Sequence, residues 1–162
     1  MGVKFMYYEQ YILESKESLI TWNEAKQDPY GYVEAHYDAS AMTILIHMKK
    51  VFCITPVSIR TGKDEATKRL RKITLYLIAN HSKEPIETIQ KMFLISIDEL
   101  NSYRKDHHFK EEYCDALKAF YEPLIQNELS NLYNRLATFE KVEKLSSEEV
   151  EQLGNIFGLE RP

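Results

Sequence analysis

The densest grouping of chemically capable side chains in the sequence is Asp106-His107-His108, with Glu111, Glu112 and Cys114 close behind. Carboxylates, imidazoles and a thiol are the ligands of zinc-type sites, so a metal centre is the first chemistry to weigh. On a helix, however, neighbouring residues project about 100° apart, and His107 and His108 cannot chelate one ion together. Zinc motifs use spacings that return their ligands to one face, unlike adjacent histidines. A Cys-His nucleophile built on Cys114 fares no better, because that thiol sits in an apolar helical pattern with no catalytic signature around it. Cys53 and Cys114 stand apart from each other, and they read as ordinary buried thiols in a reducing compartment. No metal and no cofactor is implied, and the expectation is a protein that is not an enzyme.

The basic side chains offer a different chemistry. From His47 to Lys110 the chain carries 13 Lys and Arg against 7 Asp and Glu, while the remainder carries 8 against 18. The net charge of −4 therefore conceals a basic middle between acidic flanks. That asymmetry suits a nucleic-acid-facing module with solvated or partner-facing ends, although an ordinary mixed-charge surface has the same composition. Lys63, Lys68, Arg69 and Lys72 are the candidate phosphate anchors. Asn101, Ser102, Arg104 and Lys105 are the candidates for the groove, with the planar fork of Arg104 best suited to a guanine edge.

These residues need elements to position them, and the patterning supplies helices. Tyr8, Ile12, Leu19 and Trp22 share a helical face between Phe5 and Lys26, ended by the turn signal Gln27-Asp28-Pro29-Tyr30-Gly31. Trp22 and the nearby tyrosines can be read as a base-stacking platform, but aromatics on one helix face more often pack against a core. After an irregular aromatic stretch, Asp38 or Ser40 can cap a helix from Ala41 to about Phe52, with Ile44, Met48 and Val51 on one side. A polar loop, Arg60 to Asp64, leads into a helix whose Ala66, Leu70, Ile73 and Leu77 form a core stripe while Lys68, Arg69 and Lys72 project elsewhere. Asn80-His81-Ser82 breaks it. Pro85 then opens a short helix carrying Ile86, Ile89 and Phe93, and Leu94-Ile95-Ser96 is a tight connector. Ser96 can cap a third helix with Ile97 and Leu100 inward and Asn101, Ser102, Arg104 and Lys105 exposed. Short helix, three-residue turn and second helix make a helix-turn-helix.

Beyond it lie two stripes, Tyr113-Leu117-Phe120-Leu124 and Ile125-Leu129-Leu132-Leu136-Phe139, with Pro123 marking a kink or break. The second stripe is too short for a coiled coil and is free to pack against a twin chain or the N-terminal helix. Ser146-Ser147-Glu148-Glu149 is a capping-box pattern for a final helix from Val150 to Phe157. No stretch approaches a membrane span, and Met1 to Tyr11 lacks the pattern of a signal peptide, so a cytoplasmic protein is expected.

From His47 to about Leu117 the chain resembles the C-terminal DNA-binding domain of the bacterial replication initiator DnaA. Lys50 to Ile59 resembles that family's opening helix and its link to the basic loop. Lys63 to Leu77 resembles the basic loop and long second helix, and Asn80 to Phe93 the first helix of its helix-turn-helix. The resemblance implies a TrpR-like helical core that binds double-stranded DNA. It departs at the next helix: the family opens there with Arg-Asp-His and small hydroxyl residues, and this chain has Ser96-Ile97-Asp98-Glu99-Leu100. What carries over is generic duplex binding rather than recognition of the initiator's own site. No Gly-rich phosphate loop accompanies it, so the family's ATPase module is not implied.

The expected architecture is all-α. It comprises an N-terminal helical arm over 1–38, a helix-turn-helix core over 39–110 and C-terminal helices over 111–162 that serve oligomerisation or a partner. The expected function is DNA binding in replication, a mobile element or transcription. The alternative is a protein-interaction module, an adaptor or inhibitor, that keeps the helical fold and has lost DNA binding; Asp98, Glu99 and the net acidity favour it.

Overall fold

Short polar side chains decide where the helices of this chain begin. Asp28, Ser40, Thr55, Asp64, Ser96 and Asp106 each accept a hydrogen bond from the backbone N–H three residues on, at 2.8 to 3.2 Å. Each therefore satisfies one of the donors a helix leaves unpaired at its start. The computed structural model describes residues 2–143, with side chains from 9 to 139. Among the described residues there are nine helices and no strand: α1 Gly2–Gln27, α2 Pro29–His36, α3 Ala41–Phe52, α4 Pro56–Thr61, α5 Glu65–His81, α6 Ile86–Phe93, α7 Ile97–Ser102, α8 His107–Glu112 and α9 Cys114–Glu143. The protein is all-α. No described helix is long and apolar enough to cross a membrane.

Several boundaries differ from expectation, each for a local reason. The Asp28-Pro29 turn signal starts a helix rather than an irregular stretch, because Asp28 caps it and Pro29 occupies the first turn, where its missing N–H costs nothing. Thr55-Pro56 does the same for α4. Pro123 lies inside an unbroken α9. A proline there leaves a carbonyl one turn back without its usual donor, and His47 Nε2 donates to the adjacent carbonyl of Phe120 at 2.8 Å. The final expected helix, Val150 to Phe157, with its capping box Ser146 to Glu149, lies outside the described residues.

The chain divides into two compact units. One, Val33–Leu124, is built around α5. Ile73 to Ala79 are all buried, so this helix is enclosed on every side in its second half, with α3, α4 and α7 packed against it. Enclosure explains why the expected stripe fails at its start: Ala66 is exposed and Leu70 half-buried, while Thr74, Leu75, Tyr76 and Ile78 join Ile73 and Leu77 in the core. Ile44, Leu45 and Met48 of α3, Ile89 and Phe93 of α6, and Leu117, Phe120 and Tyr121 of α9 complete it. Gly62 permits the close approach of α4 to α5. A Cβ there would collide with the Thr67 side chain and stand 2.5 Å from the Ser58 carbonyl oxygen.

The other unit comprises the described parts of Met1–Tyr32 and Ile125–Pro162. The face of α1 that packs is Tyr11, Ser15, Ser18, Trp22 and Ala25, at spacings 4, 3, 4 and 3. It meets the stripe Ile125, Leu129, Leu132, Leu136 and Phe139 of α9, which has the same spacing. Tyr11 pairs edge-on with Phe139 at 5.4 Å and Trp22 with Tyr133 at 5.9 Å, so the two helices run antiparallel. The N-terminal helix thus packs against this stripe at Phe139. Leu19, expected on the packed face, is half exposed, whereas Ser18 and Ala25 are buried.

Candidate nucleic-acid interface

The helix-turn-helix begins with α6 and ends with α7, joined by Leu94-Ile95-Ser96. Four side chains fix the turn. Arg60 Nε donates to the Met92 carbonyl at 2.8 Å, and Arg71 Nη2 to the Phe93 carbonyl at 2.6 Å. Both guanidiniums thus satisfy carbonyls that the end of α6 would leave open. Gln90 Nε2 donates to the Ile95 carbonyl, and Ser96 caps α7. Leu94 takes the left-handed conformation usually given to glycine at this point, with φ 53° and ψ 47°. Its side chain is 90% exposed. Ile95 and Leu100 anchor the motif to the core, whereas Ile97, expected inward, is 46% exposed.

α7 is only six residues long, and Tyr103 closes it. Of the four expected groove residues, Asn101 and Ser102 lie on this helix and are exposed. Arg104 and Lys105, expected on the same helix, fall instead in the turn that follows. The cause is Asn80, near the end of α5: its Oδ1 accepts from the Lys105 N–H at 2.9 Å, while its Nδ2 donates to the carbonyls of Tyr103 and Tyr76. Lys105 consequently sits at φ 53°. Asp106 then caps α8, so the chain has turned before a longer helix can form.

Lys68, Arg69 and Lys72 share one exposed face of α5, and Lys63 is exposed in the loop before it. One turn further along that face lies Tyr76, and here Phe109 of α8 covers it, stacked at 4.6 Å. Tyr103 and Tyr113 flank the same Phe109 at 5.5 and 4.4 Å. Arg69 stands over the Tyr113 ring, its guanidinium carbon 5.4 Å from the centroid. One aromatic cluster therefore buttresses Arg69 on one edge and the Arg104-Lys105 turn on another. Burial pushes the Tyr76 and Tyr103 phenols above their ordinary range, so both stay neutral. Lys68 lies 3.9 Å from Glu65 with both side chains well exposed, a contact worth little in water.

The electrostatics at the start of α7 run the other way. Asp98 and Glu99 occupy its first turn and are exposed. Carboxylates there suit the helix dipole and oppose a phosphate.

The histidine-rich run supplies no chelate: among the described residues no group of three or more His, Cys, Asp and Glu is placed to hold a metal ion. Neither cysteine is buried as expected. Cys53 is exposed because it ends α3 in the left-handed conformation, and Cys114 is half-buried at the start of α9.

Sequence reasoning missed Asn80, which it read as a helix break, and the capping duties of Arg60 and Arg71. A polar amide near a helix end is a recognisable signal, but its partner 25 residues away is not. The chain matches no family model, no curated protein and no solved structure.

Proposed function

We propose that the protein is a non-enzymatic DNA-binding protein of the helix-turn-helix kind, gripping the duplex through its backbone more than through its bases. The observation that carries this reading is the cationic surface of α5 and the 104–105 turn, braced by the Tyr76, Tyr103, Phe109 and Tyr113 cluster. Packing that holds cations in place lowers the entropy lost when phosphates bind. Lys63, Lys68, Arg69 and Lys72 serve as phosphate contacts, and Asn101, Ser102, Arg104 and Lys105 lie toward the groove. The acidic first turn of α7 argues against dense base readout at the point where such motifs usually read sequence. A DnaA-like ancestry accords with this reading and with a role in replication, a mobile element or transcription.

Fluorescence anisotropy against mixed-sequence duplex, at low and near-physiological salt, tests it. Affinity should fall steeply with salt. Lys72→Ala should weaken binding to every sequence and reduce the salt slope by about one, whereas Arg104→Ala should weaken preferred sequences more than random ones. Absence of binding even at low salt overturns the reading.

That outcome would favour a protein-interaction module, a second reading with its own observation. Leu94, 90% exposed at the tip of the turn, stands beside half-exposed Ile97 and acidic Asp98 and Glu99. An exposed apolar side chain followed by an acidic helix start suits a basic protein partner better than a phosphate backbone.

A further inference from the structure

A cleft of about 190 Å³ opens in the Val33–Leu124 unit, where Lys105, His107 and Lys110 converge with Glu34, Asn80 and His81. Drug-sized ligands occupy roughly 300–1,000 Å³, so this space takes a compact group. Two of its side chains are lysines and two are histidines, and the one carboxylate, Glu34, already engages Lys110 at 2.7 Å. The inner wall is polar and closed: His81 and Tyr121 are buried and bonded to each other there. The Lys105 backbone is held at φ 53° by Asn80, a conformation that a side chain other than Gly, Asn or Asp rarely adopts. The Lys105 ammonium makes no ion pair among the described residues.

We propose that this cleft is a binding site for a phosphate group, with Lys105, His107 and Lys110 as its donors and the Asn80-braced turn as the device that aims Lys105 into it. The proposal stands on the cleft alone. The phosphate comes from a free phosphate ester or from the backbone of the duplex, and the chemistry is the same for both. Lysine serves as a point charge on the anion, and the imidazole offers an N–H in either tautomer. Glu34 competes for Lys110 and so tunes the affinity downward.

The test is a titration of the full chain with inorganic phosphate at constant ionic strength, followed by amide chemical shifts. Saturable shifts should centre on Asn80, Lys105, His107 and Lys110. Lys105→Asn removes the charge while keeping a residue that tolerates the left-handed backbone, so it should weaken binding about tenfold with no loss of Tm. Glu34→Gln should tighten it. Duplex DNA that displaces phosphate from these amides assigns the group to the DNA backbone, and duplex that leaves it in place assigns a free ester; both sustain the site. Non-saturating shifts spread over surface lysines, or an unchanged affinity in both variants, would overturn it. Loss of duplex binding with the phosphate response intact would sink only the DNA reading.

Discussion

His81 shows how one buried side chain can tie stability to pH. Its Nδ1–H donates to the Tyr37 carbonyl, which can only accept, and in the neutral ring Nε2 accepts the Tyr121 hydroxyl. Protonation would turn Nε2 into a donor and force that hydroxyl to accept instead. Burial holds the ring's pKa below the ordinary 6.5, against the opposing pull of the Tyr37 hydrogen bond and the Glu34 and Asp38 carboxylates. The unfolded chain therefore binds a proton more readily than the folded one as pH falls through about 6.5. This contribution is fully present above that pH and is lost on acidification toward the lower folded value. Urea midpoints should drop between pH 7.5 and 5.5, and His81→Phe should flatten the drop over that interval. Parallel profiles for the two proteins would show that the ring does not carry the effect. Tyr121→Phe, which deletes the donor to Nε2, should cost about 1 kcal/mol at neutral pH.

At the scale of the element, caps outrank hydrophobic pattern in fixing where this chain turns. Ser96 satisfies the Glu99 N–H at the start of a helix only six residues long, where few other interactions hold the backbone. Ser96→Ala should cost about 1 kcal/mol and should raise amide exchange chiefly in Ile97–Ser102, as hydrogen exchange would read directly. An even rise across α5 would contradict a local role. The same logic separates what could be read in the sequence from what could not. Ser40, Ser96 and Pro85 are short-range signals, and the helices they start were legible. The end of α7 was not, because it is set by Asn80 reaching 25 residues along the chain to the Lys105 N–H. Of the candidate interface, the cationic face of α5 was legible from helical spacing alone. Its aromatic brace depends on α8 folding back over Tyr76, and the placement of Arg104 and Lys105 in a turn depends on Asn80, neither of which local spacing reveals. Asp28-Pro29 and Thr55-Pro56 were legible in principle, being a capping residue followed by a first-turn proline.

At the scale of the molecule, the described residues of the two units differ in what holds them. The Val33–Leu124 unit encloses a continuous helical segment, Ile73 to Ala79, whose amides are shielded on every side. In the described part of the other unit, the buried apolar residues are Ala25, Ile125 and Leu132, supplemented by half-buried aromatics such as Tyr11, Trp22 and Phe139. Ser15 and Ser18 on the packed face of α1 remove little apolar area from water, at about 25 cal/mol per Å². Few buried contacts and exposed backbone bonds are the marks of segments that open at low free energy. Native-state hydrogen exchange should therefore find the amides of Ser18–Ala25 and Leu129–Leu136 opening well before those of Ile73–Ala79, which exchange only on global unfolding. Replacing Ser18 with Ala, which removes a buried hydroxyl, should raise protection in the first group and leave the second unchanged. Equal protection in both segments at every denaturant concentration would mean that the chain unfolds as one cooperative body, and that the thin core between α1 and the end of α9 is no weak point.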